Sequence, residues 1–211
     1  MSAEVERVFA VWFDNLDRWV VRSSIIDAKA LPTGWRIVRV GNLVRRFSDR
    51  IRVEPGARYK MLGVKWYGDG TFHRETVPGA SLSAAYVTPV LPGAFIYNRL
   101  FAWKGAFAVV PPKHKECFVS GEFPQFTVDE EQILTEHLYL YFTCPATLKA
   151  VSTASVGSAA VSRNRFKEEA FLAFEIPVPP LATQRVILSE WRKARQAIAA
   201  SENESAGSKL R

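Results

Sequence analysis

The chain of 211 residues has only two cysteines, Cys117 and Cys144. That is too few for a disulfide framework, fits a reducing cytoplasm, and makes both read as small buried hydrophobes. Histidine is nearly as scarce. His73, His114 and His137 are scattered, stand at no metal-ligand spacing with a cysteine or carboxylate, and read as surface residues. The phosphate loop G-x-x-x-x-G-K-[ST] and the dinucleotide fingerprint G-x-G-x-x-G are both missing. No apolar run approaches the ~20 residues that span a bilayer. The N-terminus lacks the charged, apolar and small-residue zones of a signal peptide. Together these absences predict a cytoplasmic chain with no membrane partner, no metal, no cofactor and no catalytic residues of its own.

What the chain has is basic charge. Its 28 Lys and Arg against 21 Asp and Glu give a formal net charge of +7, which favours a polyanionic partner. With 48% hydrophobic and 23% charged residues it is composed like a folded domain, not a disordered tail. The basic residues are interleaved with aromatics. Arg45, Arg46, Arg50 and Arg52 lie in "RRFSDRIRV". "RYKMLGVKWYGDGTFHR" supplies Arg58, Lys60, Lys65, Trp66, Tyr67, His73 and Arg74. "YNRLFAWK" supplies Tyr97, Asn98, Arg99, Trp103 and Lys104, and "SRNRFK" supplies Arg163, Asn164, Arg165 and Lys167. Arginine and lysine suit phosphates and the guanine edge, and asparagine suits adenine. A solvated basic face without a ligand has the same composition.

Periodicity predicts helices near both ends. Residues 3 to about 22 place Val5, Val8, Phe9, Trp12, Leu16, Trp19 and Val20 on one face. From Trp35 to about Val128 the signals are strands and turns: "WRIVRV", a hairpin over 58–77 broken at Gly68-Asp69-Gly70, "LPGAFIYNRL", "GAFAVVP" and "CFVSGEFPQFTV". Helices are expected over 130–142 and 145–152, then a polar, basic loop over 152–166 and a last strand, "FLAFEIPV". Pro179 and Pro180 end that strand and open a helix, because proline cannot donate to a ladder but is tolerated in a first helical turn. Leu181, Leu188, Trp191 and Ile198 then form a stripe at near-heptad spacing, expected to run to about Ala200 and to serve assembly. The tail "SENESAGSKLR" is polar.

The order of these segments resembles the target recognition domain of Type I restriction–modification specificity (S) subunits, over roughly residues 33 to 198. "GWRIVRVGNLV" resembles the family's opening Gly-Trp strand, and "VLPGAFIYNRL…GAFAVVP" its "pGD…nR…G.…vv" block. "FVSGEFPQFTV", "LTEHLYLYF" with its Tyr-Leu pair, and "ASVGSAAVSRNRF" follow in the family's order. "IPVPPLATQRVI" resembles the entrance to its conserved helix. Ala94 stands where the family usually has Asp, and Thr183 where it usually has Glu.

Periodicity and the resemblance together lead to the expectation of an α+β protein in three parts. These are an N-terminal helical segment (1–30), a mixed, strand-rich recognition domain (31–180), and a coiled-coil-like spacer helix with a polar tail (181–211). The resemblance implies a half-subunit that reads one half of a bipartite target in double-stranded DNA. Chemistry would lie with methyltransferase (M) subunits using S-adenosylmethionine, and with a restriction (R) subunit using ATP and Mg. The expected DNA-binding residues are Arg58, Lys60, Lys65, Tyr67, Arg74, Asn98, Arg99, Lys104, Arg163 and Arg165. Leu181, Leu188, Trp191 and Ile198 are expected to pair the chain with a second half-subunit, as a homodimer, or with the M subunit. Two alternatives remain open. One is a small metal-dependent nuclease built on the "DAK" of Asp27 and Lys29, with Asp14 or Asp17 upstream. The other is a basic module that binds an acidic protein.

Overall fold

The computed structural model describes residues 31–155 and 165–208. The predicted N-terminal helix, Asp14, Asp17, Asp27 and Lys29, and Arg163 and Asn164 lie outside the described residues.

Eleven strands and four helices are described, and the α+β class expected from the sequence is what the chain adopts. Strands β1 (Arg36–Arg39) and β11 (Glu175–Val178) pair antiparallel, Arg36 opposite Val178, so the two ends of the body meet. A four-stranded sheet runs in the order β2 (Val44–Phe47), β10 (Gln125–Val128), β7 (Phe95–Tyr97), β8 (Phe107–Val109). A five-stranded sheet runs β3 (Ile51–Arg52), β6 (Tyr86–Pro89), β9 (Cys117–Val119), β4 (Arg58–Val64), β5 (Thr71–Pro78). Only β4 and β9 are parallel among these pairs, so the sheet is mixed.

Alternation along β7 and β8 builds two cores from one pair of strands. Phe95, Tyr97 and Phe107 pack into an aromatic core with Phe126, Phe142, Phe166 and Phe171. Phe95 and Phe171 stack with ring centroids 5.4 Å apart. The alternate residues, Ile96, Ala106 and Ala108, meet Leu62 and Val64 of β4 and Cys117 and Val119 of β9. Both faces are buried, which is why "AFIYN" and "GAFAVV" read as continuous apolar runs.

Helices α1 (Thr135–Thr143) and α2 (Pro145–Ala154) cover the aromatic core. Helix α3 (Glu168–Ala173) adds Phe171, and α4 (Leu181–Ser208) leaves the body after Pro179-Pro180. Several expectations are corrected here. "CFVSGEFPQFTV" is two strands in two sheets, because Ser120 to Pro124 turn between them. The first half of "FLAFEIPV" is the end of α3: Phe171 points its ring into the aromatic core from a helix, and only Glu175–Val178 find a strand partner. Helix α1 begins at Thr135 rather than 130, since Asp129 takes up the preceding backbone in a turn whose carbonyl receives the Gln132 and Ile133 N–H groups. Helix α4 has 28 residues, about 42 Å, and outruns the expected stop at Ala200.

The assembly stripe is also corrected in part. Leu188 is 2% exposed and packs with Ile187 against Leu140, while Trp191 lies edge-on to Tyr139 at 5.9 Å. These two side chains fasten α4 to its own body: a charge at Leu188 would enter a buried contact, while Trp191 is half-buried. Leu181 is half-buried, and Ile198 is exposed.

Gln184 sits at the root of α4 and is fully buried. Its Oε1 accepts the Leu134 N–H at 2.8 Å, and its Nε2 donates to the carbonyls of Pro179 (2.8 Å) and Gln132 (3.0 Å). One side chain therefore satisfies three backbone groups that no strand or helix ladder reaches. Gln184→Leu strands all three, and each buried unpaired group costs ~1–3 kcal/mol. The variant should lose about 3 kcal/mol or more of stability, read as a lower urea midpoint at unchanged m-value.

The histidines differ from expectation as well. His73 is exposed, but His114 and His137 are buried. His114 Nδ1 lies 2.8 Å from Thr71 Oγ1. His137 on α1 has an unpartnered Nδ1, and burial pulls its pKa down to about 4. It is neutral in the fold and takes a proton in the unfolded chain below its ordinary value of ~6.5. Stability is then complete above pH ~6.5 and declines as the pH falls toward 4, by on the order of 3 kcal/mol. Urea titrations at pH 7 and pH 4.5 should show this loss, and His137→Phe should flatten it.

Candidate nucleic-acid interface

The β4–β5 hairpin holds most of the residues singled out from the sequence. Register runs from Arg58 opposite Pro78 to Val64 opposite Thr71, with an irregularity between Met61 and Leu62. Met61 faces Glu75 and Leu62 faces His73, so Arg74 is an extra residue on the edge strand. A bulge of this kind re-aims a side chain. Arg74 is thereby among the residues lining a cleft of about 710 Å³ at the loop end of the hairpin, together with Lys65, Trp66, Tyr67, Asp69, Phe72, Asn98, Phe101 and Phe123.

The cleft needs Gly63. A Cβ there would come within 2.6 Å of the Phe72 ring, so only glycine lets that ring lie across the strand. Trp66 packs against Phe101 at 5.3 Å, and the Lys104 ammonium lies 3.8 Å from the Trp66 ring centroid. An ammonium over an indole face is held by the ring quadrupole. Lys65, Tyr67, Arg74 and Asn98 thus line one cleft, and Lys104 sits over its wall.

The loop itself is held firmly. Trp66 O accepts the Asp69 N–H at 3.2 Å, and both residues between them have positive φ, Tyr67 at 57° and Gly68 at 66°. That is a type I′ turn. Tyr67 N–H donates to Lys104 O (2.8 Å) and Gly68 N–H to Gly105 O (2.9 Å). Gly105 has φ 74° and lies so close that a Cβ would sit 3.3 Å from the Tyr67 backbone. The Tyr139 hydroxyl of α1 donates to Gly68 O from within the body.

Most of the cations have acidic neighbours. Lys60 pairs with Glu116 at 2.6 Å, which holds the Lys60 pKa above and the Glu116 pKa below their ordinary values. Lys65 pairs with Asp69 (2.8 Å), Arg74 with Glu75 (3.0 Å) and Arg165 with Glu122 (3.2 Å). Exposed pairs are worth ~0–1 kcal/mol, so a phosphate can displace the carboxylate at small cost. Arg58 is exposed at the far end of β4 from the cleft. Arg99 and Arg165 both turn toward the Ser120–Phe123 segment: the Arg99 backbone N–H donates to Glu122 O and its guanidinium to Gly121 O at 3.5 Å, and Arg165 N–H groups donate to the Glu122 carboxylate.

Asn98 behaves differently from a freely presented reader of adenine. It is buried, and its Oδ1 already accepts the Leu100 N–H at 3.0 Å, so one lone pair of that oxygen is engaged. A bidentate adenine contact needs both amide groups. Phe72, Phe101 and Phe123 were missed as site residues because they come from three separate segments. The one available signal was Gly63 inside a strand.

The Type I restriction modification DNA specificity domain model matches residues 88–201, which is more than half of the chain. The chain belongs to this family. Among solved structures, it is similar to a chain in work titled "Structural basis underlying complex assembly and conformational transition of the type I R-M system". That chain is 20% identical, with a TM-score of 0.57, over 98% of this chain and 50% of the other. It is also similar to the crystal structure of the HsdS subunit from Thermoanaerobacter tengcongensis, at 19% identity and a TM-score of 0.50, over 96% of this chain and 48% of that one. At these identities the likeness is one of fold. The chain spans about half the length of the solved structures it matches. No curated protein matches it.

The backbone of the 66–69 loop is fixed from behind. Removing the Tyr139 hydroxyl tests that support. Tyr139→Phe should lower stability by about 1 kcal/mol. It should also speed hydrogen exchange at the Gly68 amide selectively, since the strands of the hairpin keep their own ladder.

Proposed function

We propose that the chain is a DNA-reading half of a Type I restriction–modification specificity subunit. It binds double-stranded DNA, recognises one half of a bipartite target, and performs no chemistry. Methyl transfer with S-adenosylmethionine belongs to an M subunit that it docks, and ATP- and Mg-dependent steps belong to an R subunit. Family membership supports this reading, and the observation that carries it is the convergence of Lys65, Tyr67, Arg74 and Lys104 on one aromatic cleft. Burial pushes the pKa of the Cys117 thiol up and that of Cys144 to about 11. Among the described residues no three His, Cys, Asp or Glu side chains gather to hold a metal, and no helix is long and apolar enough to cross a membrane.

Pairing with a second half-subunit, or docking of the M subunit, would use the turns of α4 beyond Trp191, where the described side chains from Arg192 to Ile198 are exposed. Leu188 and Trp191 are left out of that role. The place of action is the cytoplasm, with the DNA.

Duplex binding should weaken steeply with salt, because each neutralised phosphate releases counterion. If Lys60, Lys65, Arg74, Lys104 and Arg165 each meet one phosphate, log affinity against log salt should slope at about −4.5. Fluorescence anisotropy of a labelled duplex, with the full chain and its M subunit, measures the slope. Affinity indifferent to salt, or methylation or cleavage by the purified chain alone, would refute the reading.

A further inference from the structure

Tyr67 combines three properties that the packing of the fold does not explain. Its side chain is 77% exposed, the highest of the large hydrophobics described. Its φ of 57° is the only positive value on a non-glycine residue among those described. Its backbone is nonetheless fixed, by the bond to Lys104 O and by the turn around it.

The first position of a type I′ turn normally takes Asn, Asp or Gly, which accept positive φ readily. An aromatic ring there carries strain without a compensating buried contact. Its aromatic neighbour is Trp66, edge-on at 6.4 Å and 90°. Trp66 in turn faces Phe101 and carries Lys104, so it belongs to the cleft wall. Tyr67 is the ring that the loop presents outward. Lys65 and Arg74, each paired with a carboxylate, line the same cleft, and Lys104 lies over its Trp66 wall, so cations able to turn to phosphates stand near the contact point.

We infer that Tyr67 is a wedge: its ring stacks into a base step of the bound duplex, and the ease of unstacking that step sets part of the sequence preference. This rests on the DNA-reading function proposed above and gives one residue of that surface a specific role. A ring on a rigid backbone loses little freedom on binding, because only its two side-chain torsions remain to be ordered. Stacking on one base is worth about 5- to 150-fold in affinity. Wedges favour flexible pyrimidine–purine steps, so the preference would fall at a position without base-edge hydrogen bonds.

The test compares the full-length chain, with its M subunit, in wild-type form and as Tyr67→Ala, Tyr67→Phe and Tyr67→Asn. Each is used to select duplexes from a random 30-base-pair pool. Affinity is then measured on the wild-type winner, carrying 2-aminopurine at the preferred step. The wild type and Tyr67→Phe should bind alike and brighten the 2-aminopurine. Tyr67→Ala and Tyr67→Asn should bind at least about 5-fold more weakly, leave the reporter dark, and lose preference at one step only. Tyr67→Asn should also melt about 2–4 °C higher, because it relieves the positive φ.

Equal binding and equal preference for Tyr67→Ala, with the wild type still binding in a salt-dependent way, would overturn the wedge and leave DNA reading intact. No duplex binding by the wild type would overturn both. A lower melting temperature for Tyr67→Asn would make the residue structural. Loss of binding in Tyr67→Phe would move the role to the hydroxyl. Either result overturns the stacking role.

Discussion

The geometry of the molecule depends on the three hydrogen bonds of Gln184. A strand that stops at two prolines leaves carbonyls with no ladder to join, and a helix that starts there leaves N–H groups without partners. Gln184 reaches back one turn to Pro179 O and across to Gln132 O and Leu134 N, so the helix root, the strand end and the entrance to α1 share one side chain. An amide suits this place because it is donor and acceptor at once. A carboxylate would set negative charge against two carbonyls, and an aliphatic chain would satisfy none of the three groups. Ile187 and Leu188 then add apolar contact to an angle that hydrogen bonding has already fixed. The Gln of the segment that resembles the family's helix entrance thus has a physical reason to be a Gln.

Helix α1 carries that constraint to the opposite side. Leu140 packs under α4 with Ile187 and Leu188. Its neighbour Tyr139 places its ring against Trp191 and donates its hydroxyl to Gly68 O at the hairpin tip. The Tyr-Leu pair noted in the sequence is therefore a splice: Leu140 holds α4, and Tyr139 joins that helix to the hairpin tip. A path of direct contacts runs from α4 through Tyr139 to Gly68.

The sequence made local pattern legible and hid long-range closure. The hairpin, its Gly68-Asp69-Gly70 break and the helix start after Pro180 follow from turn and proline chemistry that acts within a few residues. "FLAFEIPV" was misread because Phe171 is apolar for a tertiary reason: it stacks on Phe95, 76 positions earlier in the chain, and helix and strand both satisfy that need. Leu188 and Trp191 looked like an open stripe because Leu140 and Tyr139, which cover them, lie about fifty residues away. Arg74 owes its place to a bulge, and a bulge leaves no mark in composition. Lys65, Tyr67, Arg74, Asn98 and Lys104 were found as types of residue, but their convergence on one cleft needed the register of two strands and the turn at Gly105.

The ion pairs of this surface point the same way as its strain. A protein with net charge +7 could leave its cations unpaired, yet Lys60, Lys65, Arg74 and Arg165 each have a carboxylate neighbour. Such pairs add little to stability in water. Their effect falls on binding: a phosphate must displace a carboxylate, so a duplex held only by its backbone gains less than it would from bare lysines. On the proposed function, backbone attraction is reduced only slightly, and contacts that depend on base identity or deformability are not reduced. A rigid loop with an exposed ring at its tip supplies contacts of that second kind. On the proposed function, cations with acidic neighbours and a ring held out on positive φ are two features of one DNA-facing surface.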